Sequence, residues 1–357
     1  MKVTLLKSRV RHAGGLEKAA NRIAQAFTVR GAEVTILSEE LMVSPSWRWP
    51  AFVRMEQFDQ FTRTWLKQNP SDLIFGMDRN RFQTHLRAGN GVHAAFLESR
   101  ISAEGRLKWL SCLCNPLHHK ILTLEKAAFE QPSLRRLFTN SYFVRRQILE
   151  HYRVDPQKIQ VIHNGVEWHE LESAFQERPP PNLNQFRLLF IGNGYRRKGL
   201  HVLLNAIAHL RRPELHLSVV GKDRHAQDFV RQVARLNLQK QVTFFGPQSD
   251  IRPFYQQCDA LAIPSFYDPF ANVTVEALAM GLFVISSKSN GGHEVLTPEN
   301  GAIIERLDDL DAVAASLRTA LNHPKTDENA RRIRNSARSL DFSNQMQLLM
   351  DACFGDA

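Results

Sequence analysis

Leu261 to Gly301 reads LAIPSFYDPFANVTVEALAMGLFVISSKSNGGHEVLTPENG, and the order of residue types in it decides the fold. Ala260-Leu-Ala-Ile-Pro264 is a short apolar run of strand type. A mixed aromatic and polar loop follows. Val273, Val275, Ala277, Leu278 and Met280 then recur at helical spacing and stop at Gly281, a good terminating residue. Asn272 is the expected cap, because its side chain can accept from the free N–H groups of a first turn. Phe283-Val-Ile-Ser286 reads as the next buried strand. The unit is β-loop-α-β, with the loop at the carboxyl end of the first strand.

That loop carries Asp268, and the helix carries Glu276 eight positions later. Backbone N–H groups from Phe270 through Ala271 and Asn272 to Val273 lie at a helix start, where partial positive charge and unpaired donors suit a phosphate. Glu276, one turn on, can accept from vicinal hydroxyls such as those of a ribose. Asp268 can reach a second polyhydroxylated group. Spacing alone equally allows Glu276 to be a first-turn acid that complements the helix dipole and Asp268 a turn residue.

Outward from this stretch, the 357 residues suit two domains of ordinary size. No apolar run approaches the roughly 20 residues of a membrane span, and MKVTLLKSRV reads as a first strand rather than a signal peptide. A cytoplasmic protein is expected. Four cysteines, at 112, 114, 258 and 353, form no paired zinc cluster and no disulfide scaffold. Residues 1–166 hold 25 Lys and Arg against 14 Asp and Glu, the remainder 21 against 22, so the formal charge of +10 sits on the first half. No nucleic-acid module is present, which leaves an anionic membrane face or an acidic substrate as the partner of that charge.

Val3-Thr-Leu-Leu-Lys7, a turn at Ala13-Gly14-Gly15-Leu16, a helix through Phe27 and a strand from Glu33 to Ser38 form the first β-α-β of a doubly wound α/β domain. Gly14 and Gly15 would allow close backbone approach by donor phosphate or acceptor, or simply make a tight turn. Asp72-Leu-Ile-Phe-Gly76, Leu137 to Ser141 and Lys158 to His163 read as further strands, and Asn164-Gly165 as a closing turn. Residues 167–184, with Arg178-Pro-Pro-Pro181, read as a linker whose hinge would let two domains close on a ligand. Beyond it, strand Phe186 to Ile191 leads into Gly192-Asn-Gly194-Tyr-Arg-Arg197-Lys198-Gly199, a glycine-rich phosphate cradle with cations attached. Its third glycine comes too late for a dinucleotide fingerprint, and Lys198 is followed by Gly-Leu rather than the Ser or Thr of a P-loop. Strands His216 to Val220, ending at Gly221, and Val242 to Gly246 follow. Asp308-Asp-Leu-Asp311 reads as capping acids of the next helix rather than a metal site.

The Asp268-x7-Glu276 pattern resembles the E-x7-E motif of retaining nucleotide-sugar glycosyltransferases of family 4, with Asp in place of the first Glu. Arg11 to Leu16, Arg87-Ala-Gly-Asn90-Gly-Val-His93, Val161-Ile-His-Asn-Gly-Val166 and Gly192 to Gly199 agree with that family in order and spacing, over nearly the whole chain. Within it the resemblance is to enzymes of lipopolysaccharide core assembly. It implies a GT-B fold of two Rossmann-like domains facing a cleft, residues 1–166 with 338–357 binding the acceptor and 185–337 binding the nucleotide-sugar. It implies transfer of a hexose, glucose first, from a UDP-sugar to a heptose-containing lipopolysaccharide core or similar glycolipid, with retained anomeric configuration and no metal or other cofactor.

By the same resemblance the catalytic set is Asp268, His93, Asp78, Lys198 and Arg197, with Asn90 beside them. The donor-binding set is Gly14, Gly15, Gly192, Gly194, Gly221, Phe245, Gly246, Phe270, Ala271, Asn272 and Glu276, the backbone near Phe245 and Gly246 holding the uracil. Residues 100–121, where Arg100, Arg106, Lys108 and Lys120 intersperse Leu107, Trp109, Leu110, Leu113 and Leu117, match a segment that touches the anionic inner-membrane surface in similar enzymes. The shorter Asp268 leaves the donor sugar less determined than the nucleotide. Two other classes stay open at this point: a same-fold nucleotide-sugar epimerase, and a binding protein for sugar nucleotide or membrane without turnover.

Overall fold

The computed structural model describes residues 1–8, 15–42, 49–104, 115–177, 179 and 184–355. Arg11 to Gly14, the proline run from 180 and residues 105–114 of the expected membrane segment lie outside the described residues. The chain divides into two compact units: Met1–Ile101, Gly105–His163 and Gln345–Ala357 form the first, Ser102–Glu104 and Asn164–Asn344 the second.

The first unit holds a six-stranded sheet of β1 (Lys2–Leu6), β2 (Glu33–Leu37), β3 (Leu73–Gly76), β4 (His85–Arg87), β5 (Arg136–Thr139) and β6 (Ile159–Val161) in the order β2-β1-β3-β4-β5-β6. All pairings are parallel, Val3 lying opposite Val34 on one side and Leu73 on the other. Its helices are α1 (Gly15–Val29), α2 (Ala51–Gln68), α3 (His93–Glu104), α4 (Pro116–Glu130) and α5 (Tyr142–His151). Strands buried on both faces must be apolar throughout, and β3, LIFG, is buried at all four positions.

The second unit contains α6 (Glu172–Gln176), β7 (Phe186–Ile191), α7 (Leu200–Leu210), β8 (Leu215–Val220), α8 (Ala226–Arg235), β9 (Val242–Gly246), α9 (Arg252–Gln257) and β10 (Ala260–Ile263). It continues with α10 (Asn272–Ala279), β11 (Phe283–Ser287), β12 (Gly301–Ile304), α11 (Leu310–Leu321) and α12 (Asp327–Ser336). The sheet order is β12-β11-β10-β7-β8-β9, again all parallel. Counted within the unit, and read from the β9 edge, this is the dinucleotide-fold order 3-2-1-4-5-6, which reverses between β7 and β10. Ligands of such sheets bind outside the carboxyl ends of the strands at that reversal.

The expected linker is in part a folded element. Trp168, Leu171, Ala174 and Phe175 are buried in the second unit's core, so the chain leaves the first unit at His163 rather than Val166. Its return is also later than 338. Val166 accepts from the Phe342 N–H and donates to the Leu340 carbonyl, each at 2.9 Å, which keeps the chain up to Asn344 with the second unit. Only then does the last helix, α13 (Phe342–Phe354), place Leu349, Met350 and Cys353 in the first unit's core beside Val3, Phe27 and Phe75.

Candidate active site

In the second unit the loops after β7 and β10 are locked together. Gly199 has φ +78°, and a Cβ there would lie 1.8 Å from the Pro264 carbonyl oxygen, so only glycine lets the two loops meet. One residue pair further, the Phe266 N–H donates to the Arg197 carbonyl at 2.9 Å, and the Arg197 guanidinium donates to the Tyr267 carbonyl at 2.9 Å. The consequence is electrostatic. The Lys198 ammonium donates to the Asp268 carboxylate, the two residues being 9% and 7% exposed, and Arg197 Nη1 stands 3.7 Å from the same oxygen.

In the glycine-rich loop the two glycine N–H groups are already engaged. Gly192 and Gly194 spend their N–H groups on the carbonyls of Val220 and Lys222, both at 3.0 Å, and Tyr195 donates its N–H to Asp223. Gly221, at φ +127°, would carry a Cβ 2.2 Å from the Gly192 carbonyl and donates its own N–H to Gly246. Gly221 permits the close approach of the β7 and β8 loops, Gly192 lies against the Lys198 side chain, and Gly194 has open space around it.

Across the switch point the start of α10 also differs from expectation. Asn272 is its first residue and not its cap, which is Ala271 without a side-chain bond. The Asn272 side-chain oxygen instead accepts from Asn164 at 2.7 Å. Capping comes from another loop: Asn290, fully buried, accepts from the N–H groups of Ala271 and Gly292, each at 3.1 Å, and donates to Ser286. The Ala271 donor is therefore occupied, while Asn272 and Val273 hold first-turn N–H groups that helix geometry leaves without an intrahelical acceptor. Phe270 is buried beside them. Asn290 also fixes Asp268, whose N–H and carbonyl bond to Ser289 and Gly291 at 3.0 and 2.9 Å.

Glu276 is half-buried and accepts from the Tyr255 hydroxyl at 2.7 Å. Burial, reinforced by the Glu276 charge, drives the Tyr255 phenol well above its ordinary pKa, so it remains a donor at any physiological pH. Phe245, by contrast, is 44% exposed with its ring edge-on to Phe254, and its carbonyl accepts from Gln248.

In the first unit, Asp78 is engaged on both oxygens, by Lys7 Nζ at 2.9 Å and the Ser8 N–H at 2.7 Å, and so ties the ends of β1 and β3. Asn90 is exposed. His93 opens α3; its ring Nε2 lies 3.0 Å from His118 Nδ1, and burial together with Arg79 pushes its pKa down to about 4. The centre of this region is Glu125, fully buried on α4. It accepts from Arg79 at 2.6 Å, from the Tyr152 hydroxyl at 2.7 Å and from the His93 N–H at 2.8 Å. A charged carboxylate thus sits against the start of α3, where the dipole favours it. Gly14 lies outside the described residues, and Gly15 is the first residue of α1.

Sequence reasoning missed Tyr255, Asn290, Glu125, Arg79 and Tyr152. Only Asn290-Gly-Gly292 carries a local signal, a turn sequence at the carboxyl end of β11. In the membrane segment, Lys120 is tied to Glu56 at 2.9 Å, and no helix among the described residues is long and apolar enough to cross a membrane. Asp309 caps α11 through the N–H groups of Asp311 and Ala312, as expected of that acidic run.

Comparison with known proteins matches residues 13–169 to the family described as Glycosyltransferase Family 4 and residues 172–340 to Glycosyl transferases group 1. The lipopolysaccharide glucosyltransferase WaaG of Escherichia coli K12 is 22% identical over 333 residues, covering 86% of each chain. The crystal structure of WaaG superposes with a TM-score of 0.77 over 98% of this chain and 99% of that one, at 22% identity. Anabaena HepE, solved in complex with UDP-glucose, gives a TM-score of 0.67 at 18% identity over 99% of this chain and 100% of that one. Two six-stranded parallel sheets, a ligand-type switch point and these matches lead to one conclusion: the chain belongs to the GT-B-fold glycosyltransferases, with a family 4 half and a group 1 half, and resembles WaaG.

Proposed function

We propose that the chain transfers a hexose, glucose first, from a UDP-sugar to the heptose-containing inner core of lipopolysaccharide or a similar glycolipid, with retention of anomeric configuration. The observation that carries this reading is the meeting of Arg197, Lys198 and Asp268 at the β7/β10 switch point, beside the start of a helix that bears Glu276. A diphosphate there takes the place of Asp268 against Lys198. The displaced carboxylate is then available to hydroxyls of the donor sugar, while Glu276, steadied by Tyr255, accepts from the ribose. Charge that builds on the departing diphosphate is met by Arg197, Lys198 and the first-turn N–H groups, an arrangement of fixed donors that is worth about 10²–10³ in rate per donor in other enzymes. In this reading the two cations do the charge neutralisation and no metal is required. Phe245 offers an exposed face to the base. His93 stays neutral at physiological pH and serves as a donor or acceptor toward the reacting groups of the first unit.

The WaaG relative is named for lipopolysaccharide glucosyl transfer, and HepE was solved with UDP-glucose; both support the choice of donor and acceptor. The excess of Lys and Arg in residues 1–166 suits work at the anionic cytoplasmic face of the inner membrane, as a peripheral protein. The test is transfer from a panel of UDP-, GDP- and ADP-sugars to a heptose-containing core acceptor, with and without chelator, for the native protein and Glu276→Ala. Chelator-resistant transfer from one UDP-hexose, lost in the variant and giving the α-linked product from an α-donor, is expected. Nucleotide binding without transfer to any acceptor would overturn it.

A further inference from the structure

A second concentration of cations lies in the same unit, at the far end of α10. Arg331, Arg334 and Arg338, with Trp168, Glu172 and Phe175, line a cavity of about 430 Å³. Arg334 is structural. It is 4% exposed, donates to the carbonyl of Ala279 at the end of α10, pairs with Glu172 at 2.6 Å, and is sandwiched between Trp168 and Phe175 with its guanidinium carbon 4.2 and 4.5 Å from the ring centres. Glu172 thereby pairs with one of the three arginines, and its charge is also felt by Arg338, which leaves the three cations in excess over the one carboxylate of the lining.

Arg331 and Arg338 are different. Both are exposed, and among the described residues no carboxylate lies within ion-pair distance of either. Arg338 lies over the other contact of the same floor, 4.8 Å from the Trp168 centre. Arg331 and Arg334 are three apart on α12, and Arg338 comes from the short 3-10 turn just after it, so three like charges meet at the cavity against mutual repulsion. The carboxyl end of α12 favours cations, but a helix dipole does not require that they line a hollow. Guanidinium groups bind phosphate through parallel N–H donors. The volume lies within the range of small-molecule sites, room for a phosphate with an organic group attached rather than for the bare ion.

We propose that this groove is an anion site for a phosphate ester, held by Arg331 and Arg338 over the Trp168 floor. It is separate from the candidate donor site and joined to it by α10, whose last carbonyl Arg334 holds and whose first residue is Asn272. The same phosphate chemistry is offered by a soluble ester and by a phospholipid headgroup.

The experiment titrates the full chain with glycerol 3-phosphate by calorimetry at constant ionic strength, and in parallel measures sedimentation with vesicles of phosphatidylglycerol in phosphatidylcholine against phosphatidylcholine alone. The Arg331→Gln/Arg338→Gln protein is expected to bind glycerol 3-phosphate at least tenfold more weakly, with its unfolding midpoint in chloride unchanged. The exposed single variant Arg331→Gln serves if the double variant is unstable. A parallel loss of phosphatidylglycerol binding names the lipid headgroup as the source; unchanged vesicle binding names a soluble ester. Absence of glycerol 3-phosphate binding, an affinity unaltered in the double variant, or an affinity lost only in Arg197→Gln protein overturns the proposal.

Discussion

Lys198 and Asp268, seventy positions apart, form a nearly closed ion pair at the point where the second sheet reverses its strand order. Removal of one partner strands the other's charge away from water. Lys198→Gln is expected to lower the unfolding free energy by about 3 kcal/mol and transfer by about 10²–10³-fold. The double variant Lys198→Met/Asp268→Leu is expected to regain most of the stability and none of the activity, since an apolar pair of similar volume is tolerated in place of a buried ion pair. Urea unfolding and initial rates on the same preparations separate the two effects.

Tyr255→Phe removes a single hydroxyl that is buried and donates to Glu276. A hydrogen bond to a charged group contributes about 1.5–3 kcal/mol. The expected result is a rise of about tenfold or more in KM for the nucleotide-sugar with a smaller change in kcat, measured with Glu276→Gln as the reference.

Gly199→Ala meets the Pro264 carbonyl at a distance no contact allows and at a φ that L-residues rarely adopt. The β7 and β10 loops must separate. Expected are a loss of about 2–4 kcal/mol in unfolding free energy and loss of donor binding, whereas Gly194→Ala, at φ +75° but with open space around it, is expected to cost only about 1 kcal/mol. Chemical denaturation compares the two directly.

Stability should fall on acidification below neutrality. His93 is held down to about 4 from 6.5 by burial first and Arg79 second, so between these values the unfolded chain binds a proton that the folded chain refuses. The contribution is fully present above about pH 6.5 and is lost as pH falls toward 4. It amounts to on the order of 1 kcal/mol once the partial exposure of the ring is discounted. His201, also pushed down to about 4 by burial and Arg196, acts in the same window. Urea unfolding at pH 7 and pH 5 is expected to show a smaller difference in His93→Gln and in His201→Gln than in the native protein.

Much of the framework is legible in local residue order, because strands buried on both faces are uninterrupted apolar runs. Phe186 to Ile191, apolar but for Arg187, coincides with β7 for that reason, whereas Val242 to Gly246 coincides with β9, an edge strand whose burial alternates along its length. β4, His-Leu-Arg, has no such run and exists only because β3 and β5 pair with it on either side. At the candidate site, charged residues at strand ends stand out: Arg197, Lys198, Asp268 and Glu276. Their partners do not. Tyr255 looks like any core aromatic, the Asn290 side chain caps a helix eighteen residues before it in sequence, and the glycine-loop donors that looked available are consumed by neighbouring loops. The Trp168 and Phe175 floor was hidden in a stretch whose prolines read as linker.

The last helix gives the two units opposite histories on the ribosome. Leu349, Met350 and Cys353 complete the core that Val3 and Phe27 begin, yet the whole of Asn164–Asn344 is synthesised between them. At ~5–20 residues per second that interval is roughly 10–40 s. The second unit, all but Ser102–Glu104 of which is the continuous stretch Asn164–Asn344, can finish folding during it, while the first waits with an apolar face uncovered. Synthesis order and completion order are reversed, so a ribosome that stops short of the final dozen residues leaves a finished nucleotide-type fold attached to an unfinished, aggregation-prone partner.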